Sequence, residues 1–227
     1  MNTKCNTKCY PVSWEKIPLL IGRLARKIRK NFQPDIVIGI ARGGLVPARC
    51  ICDHLLVREL AIIHIKHWGT AKTLGEAKVT IPLSQSLENK KVLIVDDVAD
   101  TGETLKKAIE HLEELKPSEI RTAVLHYKTS SILEPDYYTR KMAEWKWIIY
   151  PWALREDLFH FLKEILKQEE LSDRQINRKL HEKYGLKLKK EELTTILTEL
   201  EETKHLEKTK TPAGRKWKLT HKALEKP

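Results

Sequence analysis

Val92-Leu93-Ile94-Val95-Asp96-Asp97-Val98-Ala99-Asp100-Thr101-Gly102-Glu103-Thr104 is the stretch on which the reading of this 227-residue chain turns. Its apolar, β-branched start reads as a buried strand. Two carboxylates end the strand, and a short loop opens a helix. In open α/β sheets, ligands sit at the carboxyl ends of strands. The hydroxyls of Thr101 and Thr104, with the N–H groups at a helix start, make a phosphate nest. Gly102 lets backbone approach closely. Two adjacent acids beside such a nest suit a ligand with a phosphate, vicinal hydroxyls and Mg2+. An apolar strand ending in Asp-Asp also occurs in P-loop NTPases. Gly39 and Gly44 have the G-x4-G spacing, but Leu45-Val46 stands where Lys-Ser/Thr is required, which excludes a standard P-loop.

Working outward, Ser13–Asn31 has apolar residues at helical spacing with basic residues between them, and Pro18 falls in the first turn. Asp35–Ile40 is a second buried strand. Arg42-Gly43-Gly44 is a loop, Val46–Leu56 a helix and Ala61–Ile65 a strand. Lys66–Asn89 is long, polar and weakly periodic, so it reads as a mobile loop or a hairpin. Thr104–Leu115 is a helix stopped by Pro117, Ile120–His126 a fourth strand, and Trp147–Ile149 begins or forms a fifth. Strands alternating with helices predict an α/β fold with a mainly parallel, doubly wound sheet.

The pattern changes after Pro151-Trp152. Leu154–Lys167 is helical. Ser172 and Gln175 form a capping-box start for a helix that Gly185 closes. Lys189–Thr203 is a third helix, and His205–Leu219 reads as a hairpin around Pro212-Ala213-Gly214. Three helices and a hairpin are winged-helix order. The expected organisation is a polar tail over 1–12, a catalytic-type domain over 13–160 and a small winged-helix-like α+β domain over 161–227.

The chain carries 42 basic and 31 acidic residues, net +11. That balance favours polyanionic partners, either phosphorylated small molecules or nucleic acid. Hydrophobic residues make up 41%, enough for a core. No apolar run approaches the roughly 20 residues of a membrane span, and no secretory signal opens the chain, so a cytoplasmic protein without membrane contact is expected. Cys5 and Cys9 form a lone C-x3-C in the polar tail. They read as unstructured thiols, with an intrachain bridge or a metal as alternatives. Cys50 and Cys52 read as core.

The 92–104 run resembles the phosphoribosyl-pyrophosphate (PRPP) signature of type I phosphoribosyltransferases. Two further segments narrow the resemblance to the 6-oxopurine, xanthine-guanine type, over roughly residues 13–155. Ala41-Arg42-Gly43-Gly44-Leu45-Val46-Pro47 resembles its pyrophosphate loop. Trp147-Ile148-Ile149-Tyr150-Pro151-Trp152 resembles its purine segment.

The resemblance implies that Asp96 and Asp97 serve the ribose hydroxyls, with Asp97 toward Mg2+. It implies PRPP contacts from Ala99, Asp100, Thr101, Gly102, Glu103 and Thr104, and pyrophosphate contacts from Ala41, Arg42 and Gly43. It also implies a cis peptide at Ala41–Arg42. Asp100 falls where these enzymes keep an acid beside purine N7, and Lys128 where a Lys donates to the 6-oxo group. Trp147 would stack on the base, and Ile148 would offer backbone groups to its edge. Trp145 and Trp152 read as packing. Ala153 stands where an Asp often helps a second Mg2+, with Glu156 or Asp157 as substitutes or one metal only. The Lys66–Asn89 loop takes the place of the lid.

The implied activity is an Mg2+-dependent purine-salvage transfer, with a homodimer or higher homo-oligomer as the expected assembly. Arg42, Asp100 and Lys128 would be its catalytic groups. The alternative is a PRPP- or purine-sensing DNA-binding regulator. The third C-terminal helix carries Glu191, Glu192, Glu199, Glu201 and Glu202, which would repel phosphates. DNA contact is therefore the secondary expectation. Intact Asp100, Lys128 and Trp147 favour the enzyme.

Overall fold

In the computed structural model, described over residues 8–67, 76–211 and 214–224, the run Val92–Val95 lies inside a six-stranded sheet. The elements in chain order are β1 (Cys9–Pro11), α1 (Ile17–Arg29), β2 (Ile36–Ala41), α2 (Leu45–Leu55), β3 (Glu59–His67), β4 (Ala77–Ile81), β5 (Lys91–Ala99) and α3 (Glu103–Glu113). There follow β6 (Glu119–Lys128), β7 (Tyr137–Met142), β8 (Trp147–Ile149), α4 (Leu154–Leu166), α5 (Asp173–Tyr184), α6 (Lys190–Glu202), β9 (Leu206–Thr211), β10 (Gly214–Leu219) and α7 (His221–Leu224). They form two compact units. One is Trp14–Trp145, and the other comprises the described residues of Met1–Ser13 and of Lys146–Pro227.

In the first unit the strand order is β4-β3-β2-β5-β6-β7. All pairs are parallel except β3 with β4. Alternation along β2 divides its side chains between two helical layers. Ile36, Ile38 and Ile40 pack in one cluster with Leu105, Ala108 and Leu112 of α3. Gly39 faces Ala48 of α2 on the other side, and α1 packs beside α2 there. Each fully buried Ile contributes about 1.5–3 kcal/mol of burial energy. The α/β class with a mainly parallel sheet is therefore as expected.

Two strands differ from expectation. The fifth parallel strand of the main sheet is β7, which the sequence reading passed over. Trp147–Ile149 does form a strand, but it pairs in parallel with Cys9–Pro11 as a separate two-stranded sheet. Residues 9–11 are thus not tail. The Lys66–Asn89 segment contains β4, a hairpin arm on β3. Its residues 68–75, where the lid expectation centres, lie outside the described residues, as does Cys5.

In the second unit, α4, α5 and α6 surround a core that includes Leu158, Phe161, Leu162, Ile176, Leu180 and Leu197, closed by fully buried Trp217 of β10. The Ser172–Gln175 capping box forms, and Gly185 ends α5 at φ 70°. Leu171 and Trp217 exchange backbone hydrogen bonds of 3.1 and 2.9 Å, adding a bridge to the hairpin. Two acids of α6, Glu199 and Glu201, form local ion pairs. Glu199 accepts from Arg155 at 2.5 and 2.9 Å, and Glu201 from Lys208 at 3.2 Å. Cys9 is half-buried, and burial followed by the charge of Asp157 pushes its thiol up to about 12. That disfavours the reactive thiolate form.

His126 on β6 is fully buried. Burial, then the charges of Arg140 and Lys128, push its imidazole down to about 4 from 6.5. Between those values the unfolded chain binds a proton that the folded chain refuses. Stability from this group is therefore intact above pH 6.5 and falls as the pH drops toward 4, by at most about 1.4 kcal/mol per unit. Urea midpoints of the wild type are expected to fall more steeply over that window than those of His126→Gln. Parallel slopes would refute the assignment.

Candidate active site

The connection from β2 runs through α2 to β3 on one side, while that from β5 runs through α3 to β6 on the other. The sheet therefore reverses its winding between β2 and β5, and the carboxyl ends of strands at such a switch point form a crevice. Gly39 is paired with Val95, so the two loops that follow lie side by side. The Ala41-Arg42-Gly43 loop leaves β2, with the Ala41–Arg42 peptide cis, as the resemblance implies. The Asp96–Thr104 loop leaves β5. They meet at Gly43. A Cβ there would stand 2.6 Å from the Asp97 carboxyl carbon, so the absence of a side chain is what lets Asp97 rest against this loop.

Asp96 is 8% exposed, and its Oδ1 accepts from the Asp97 N–H at 2.8 Å. Burial first, and the neighbouring Asp97 charge second, hold its carboxyl well above the usual carboxylate range. A cation or hydroxyl donors would relieve that crowding. Hard carboxylate oxygens are what Mg2+ takes, and Asp97 presents them beside a glycine loop, so these residues fit such an ion. Ala99 has its methyl in the core, which leaves only its backbone for a ligand.

Past Asp100 the chain turns into α3. The Thr101 hydroxyl accepts from the Glu103 N–H at 3.4 Å, and the Thr101 carbonyl accepts from Ile132 at 2.8 Å. Gly102 has φ 84°, and a Cβ on it would come within 3.0 Å of the Leu133 nitrogen. Its lack of a side chain thus serves both the left-handed turn and the close approach of the 131–133 loop. Thr101, Glu103 and Thr104 stand at the helix opening, each partly exposed.

Asp100 and Lys128 come together across the ends of β5 and β6. Lys128 Nζ donates to Asp100 Oδ2 at 2.6 Å, and the ammonium is almost fully buried. Burial pushes Lys128 below its ordinary pKa, and the hydrogen bond and charge of Asp100 oppose that. Trp145, read from sequence as packing, takes part here. Its Nε1–H donates to Asp100 Oδ1 at 3.0 Å, and Lys128 Nζ lies 4.3 Å from its ring centroid. The ring is 45% exposed, which packing alone does not explain. Ser130 also donates to the Asp100 carbonyl at 3.1 Å. Nothing in the spacing of Trp145 or Ser130 marks them, because a non-repetitive loop brings them in.

Trp147 and Ile148 belong to the second unit. The Trp147 N–H donates to the Lys8 carbonyl at 3.0 Å, and the Val12 N–H to the Ile149 carbonyl at 2.9 Å. Successive residues of a strand direct their backbone groups to opposite edges. Ile148 therefore turns its N–H and C=O away from β1. Asp157, weighed above as a metal ligand, accepts from the Trp147 indole at 3.0 Å.

The phosphoribosyl transferase domain matches residues 13–157. Over 158 residues the chain is 27% identical to a xanthine-guanine phosphoribosyltransferase of Idiomarina loihiensis, covering 70% of this chain and 93% of that one. Over 152 residues it is 30% identical to the xanthine-guanine phosphoribosyltransferase of Cereibacter sphaeroides, covering 65% and 88%. Among solved structures, a purine phosphoribosyltransferase from Pyrococcus horikoshii superposes with a TM-score of 0.57 at 37% identity, covering 63% of this chain and 93% of that one.

Proposed function

The chain belongs to the phosphoribosyltransferase family, and from that premise we propose that it is a purine-salvage enzyme joining a 6-oxopurine to PRPP, with release of pyrophosphate. Guanine, hypoxanthine and xanthine are the substrate class. The observation that carries this reading is the buried Lys128 paired with Asp100 at the carboxyl edge of a switch-point sheet.

The 5′-phosphate lies in the cradle of Thr101, Gly102, Glu103 and Thr104, with backbone groups of Ala99 and Asp100 alongside. Asp96 and Asp97 accept from the ribose hydroxyls. Arg42, with the backbone of Ala41 and Gly43, holds the departing pyrophosphate. Mg2+, with Asp97 as its ligand, supplies further neutralisation of that charge when bound. As purine N9 bonds to the ribose carbon, Asp100 takes the N7 proton. Lys128 donates to the 6-oxo group. An ammonium can donate but not accept, so a 6-amino base meets donor against donor. Trp147 stacks on the base, and the outward backbone of Ile148 reads its edge.

Residues 161–227 are read as a winged-helix-like accessory domain. The exposed acids Glu191, Glu192 and Glu202 of α6, which would repel phosphates, support that over a DNA-reading role. Leu60 and Ile62, each more than a third exposed on the β3 face beside α2, support a homodimer or higher oligomer. Light scattering is expected to give at least twice the 26.4 kDa chain mass, and a monomer would overturn this. The absence of a helix long and apolar enough to cross a membrane among the described residues is in keeping with a cytoplasmic enzyme.

Steady-state turnover of guanine, hypoxanthine, xanthine and adenine with PRPP and Mg2+ tests the activity. Turnover of at least one 6-oxopurine is expected, with adenine rejected by about 10⁴. No turnover of any base would overturn the reading.

A further inference from the structure

We propose that α4 frames the purine wall, with Asp157 and His160 as positioning residues that fix the Trp147 indole for stacking. The inference rests on the reading of Trp147 as the base-stacking residue. It assigns work to His160, which lies beyond the family match over residues 13–157, and gives Asp157 a role other than the metal ligand weighed above.

Trp147 is anchored twice. Its backbone is held by β1, through the 3.0 Å bond to Lys8. Its side chain is held by α4. The indole N–H donates to Asp157 Oδ1 at 3.0 Å. The ring lies nearly parallel to His160, with centroids 5.6 Å apart and planes 9° apart. Phe161 meets it edge-on at 5.7 Å and 72°. Asp157, His160 and Phe161 have the i, i+3, i+4 spacing that puts three side chains on one helix face. A single turn of α4 thus supplies the hydrogen bond, the stacked ring and the edge contact.

Each contact fixes something different. The hydrogen bond sets the direction of the indole, and the stacked imidazole sets its plane. Phe161 is buried among Leu158, Leu162, Ile176 and Leu180, which ties that orientation to the core of the C-terminal unit. An indole without these contacts would lose side-chain freedom only when the purine bound, and that entropy would be charged to purine affinity. The residues proposed for PRPP, on the loops after β2 and β5, include none of these, so its affinity is expected to stay unchanged.

The test uses the full-length chain, with guanine and hypoxanthine as probes at saturating PRPP, then PRPP varied at saturating purine. Asp157→Ala and His160→Ala are each expected to raise KM for the purine roughly tenfold, with kcat and the KM for PRPP within about twofold of wild type. Asp157→Asn, which keeps an acceptor oxygen, and His160→Phe, which keeps a ring, are expected to restore most of the loss. His160→Leu, at an exposed position, keeps the test open should Asp157→Ala fail to fold. If Trp147→Leu raises the purine KM and the α4 variants do not, this proposal falls while the stacking reading stands. If Trp147→Leu itself leaves the purine KM unchanged, the stacking reading falls and takes the proposal with it. Equal shifts in both KM values, or no rescue by Asn and Phe, mean a structural role only and also overturn it.

Discussion

Asp100→Asn is expected to lower kcat/KM for a 6-oxopurine by about 10²–10⁴ and to leave the KM for PRPP near wild type. The amide has the volume of the carboxylate, and its oxygen can still accept from Trp145. Two things are lost. An amide cannot take the N7 proton. Its NH2 group also turns a donor toward Lys128 Nζ, which the carboxylate now meets at 2.6 Å. Lys128 is already pushed down by burial. Without the opposing charge it falls further, which favours the neutral amine over the ammonium proposed to face the 6-oxo group. Initial rates under saturating PRPP check this, with a thermal melt to confirm folding. Retention of more than about a tenth of wild-type kcat/KM would exclude general-base work of the usual size.

Gly43→Ala is expected to act on the other half of the reaction. The new methyl would overlap the Asp97 carboxyl group. A side chain can swing aside at small cost to folding, so the melting temperature should change little. The carboxylate that moves is the one proposed to serve Mg2+ and the ribose hydroxyls. A loss of about 10²–10³ in kcat/KM for PRPP is the size expected when a preorganised charge-handling group leaves its place. Gly44→Ala is the contrast. There a Cβ would stand 2.7 Å from the Ile40 carbonyl, and backbone cannot swing aside, so stability falls first. Equal kcat/KM for PRPP in Gly43→Ala and wild type would remove Asp97 from its proposed role.

Local chemistry that repeats in sequence was readable, and chemistry assembled by irregular turns was not. The 92–104 run was legible because a β-branched strand, two acids and a helix opening succeed one another without interruption. The Ser172–Gln175 box was legible because capping is decided within four residues. Tyr137–Met142 was passed over because its middle is Tyr-Thr-Arg-Lys, and only its ends, Tyr137 and Met142, are buried. Its charged middle suits an edge strand. Cys9–Pro11 is too short for any period to show. Lys128 was placed by resemblance, and its burial depends on the three-dimensional crossing of β6 with the loops around it. Trp145 was assigned to packing because an isolated Trp usually packs, and the turn that aims its N–H at Asp100 has no signature.

The pairing of Cys9–Pro11 with Trp147–Ile149 has a bearing on biosynthesis. During synthesis, Cys9–Pro11 waits for a partner more than 130 residues behind it. At about 5–20 residues per second that is a delay of order 10 s. The whole Trp14–Trp145 unit can fold in the interval. The segment proposed to grip the purine is therefore completed only after that unit, when Trp147–Ile149 and then α4 have emerged. A bulky fusion placed just before Lys8 would burden that pairing, while one placed after the final helix would leave it alone.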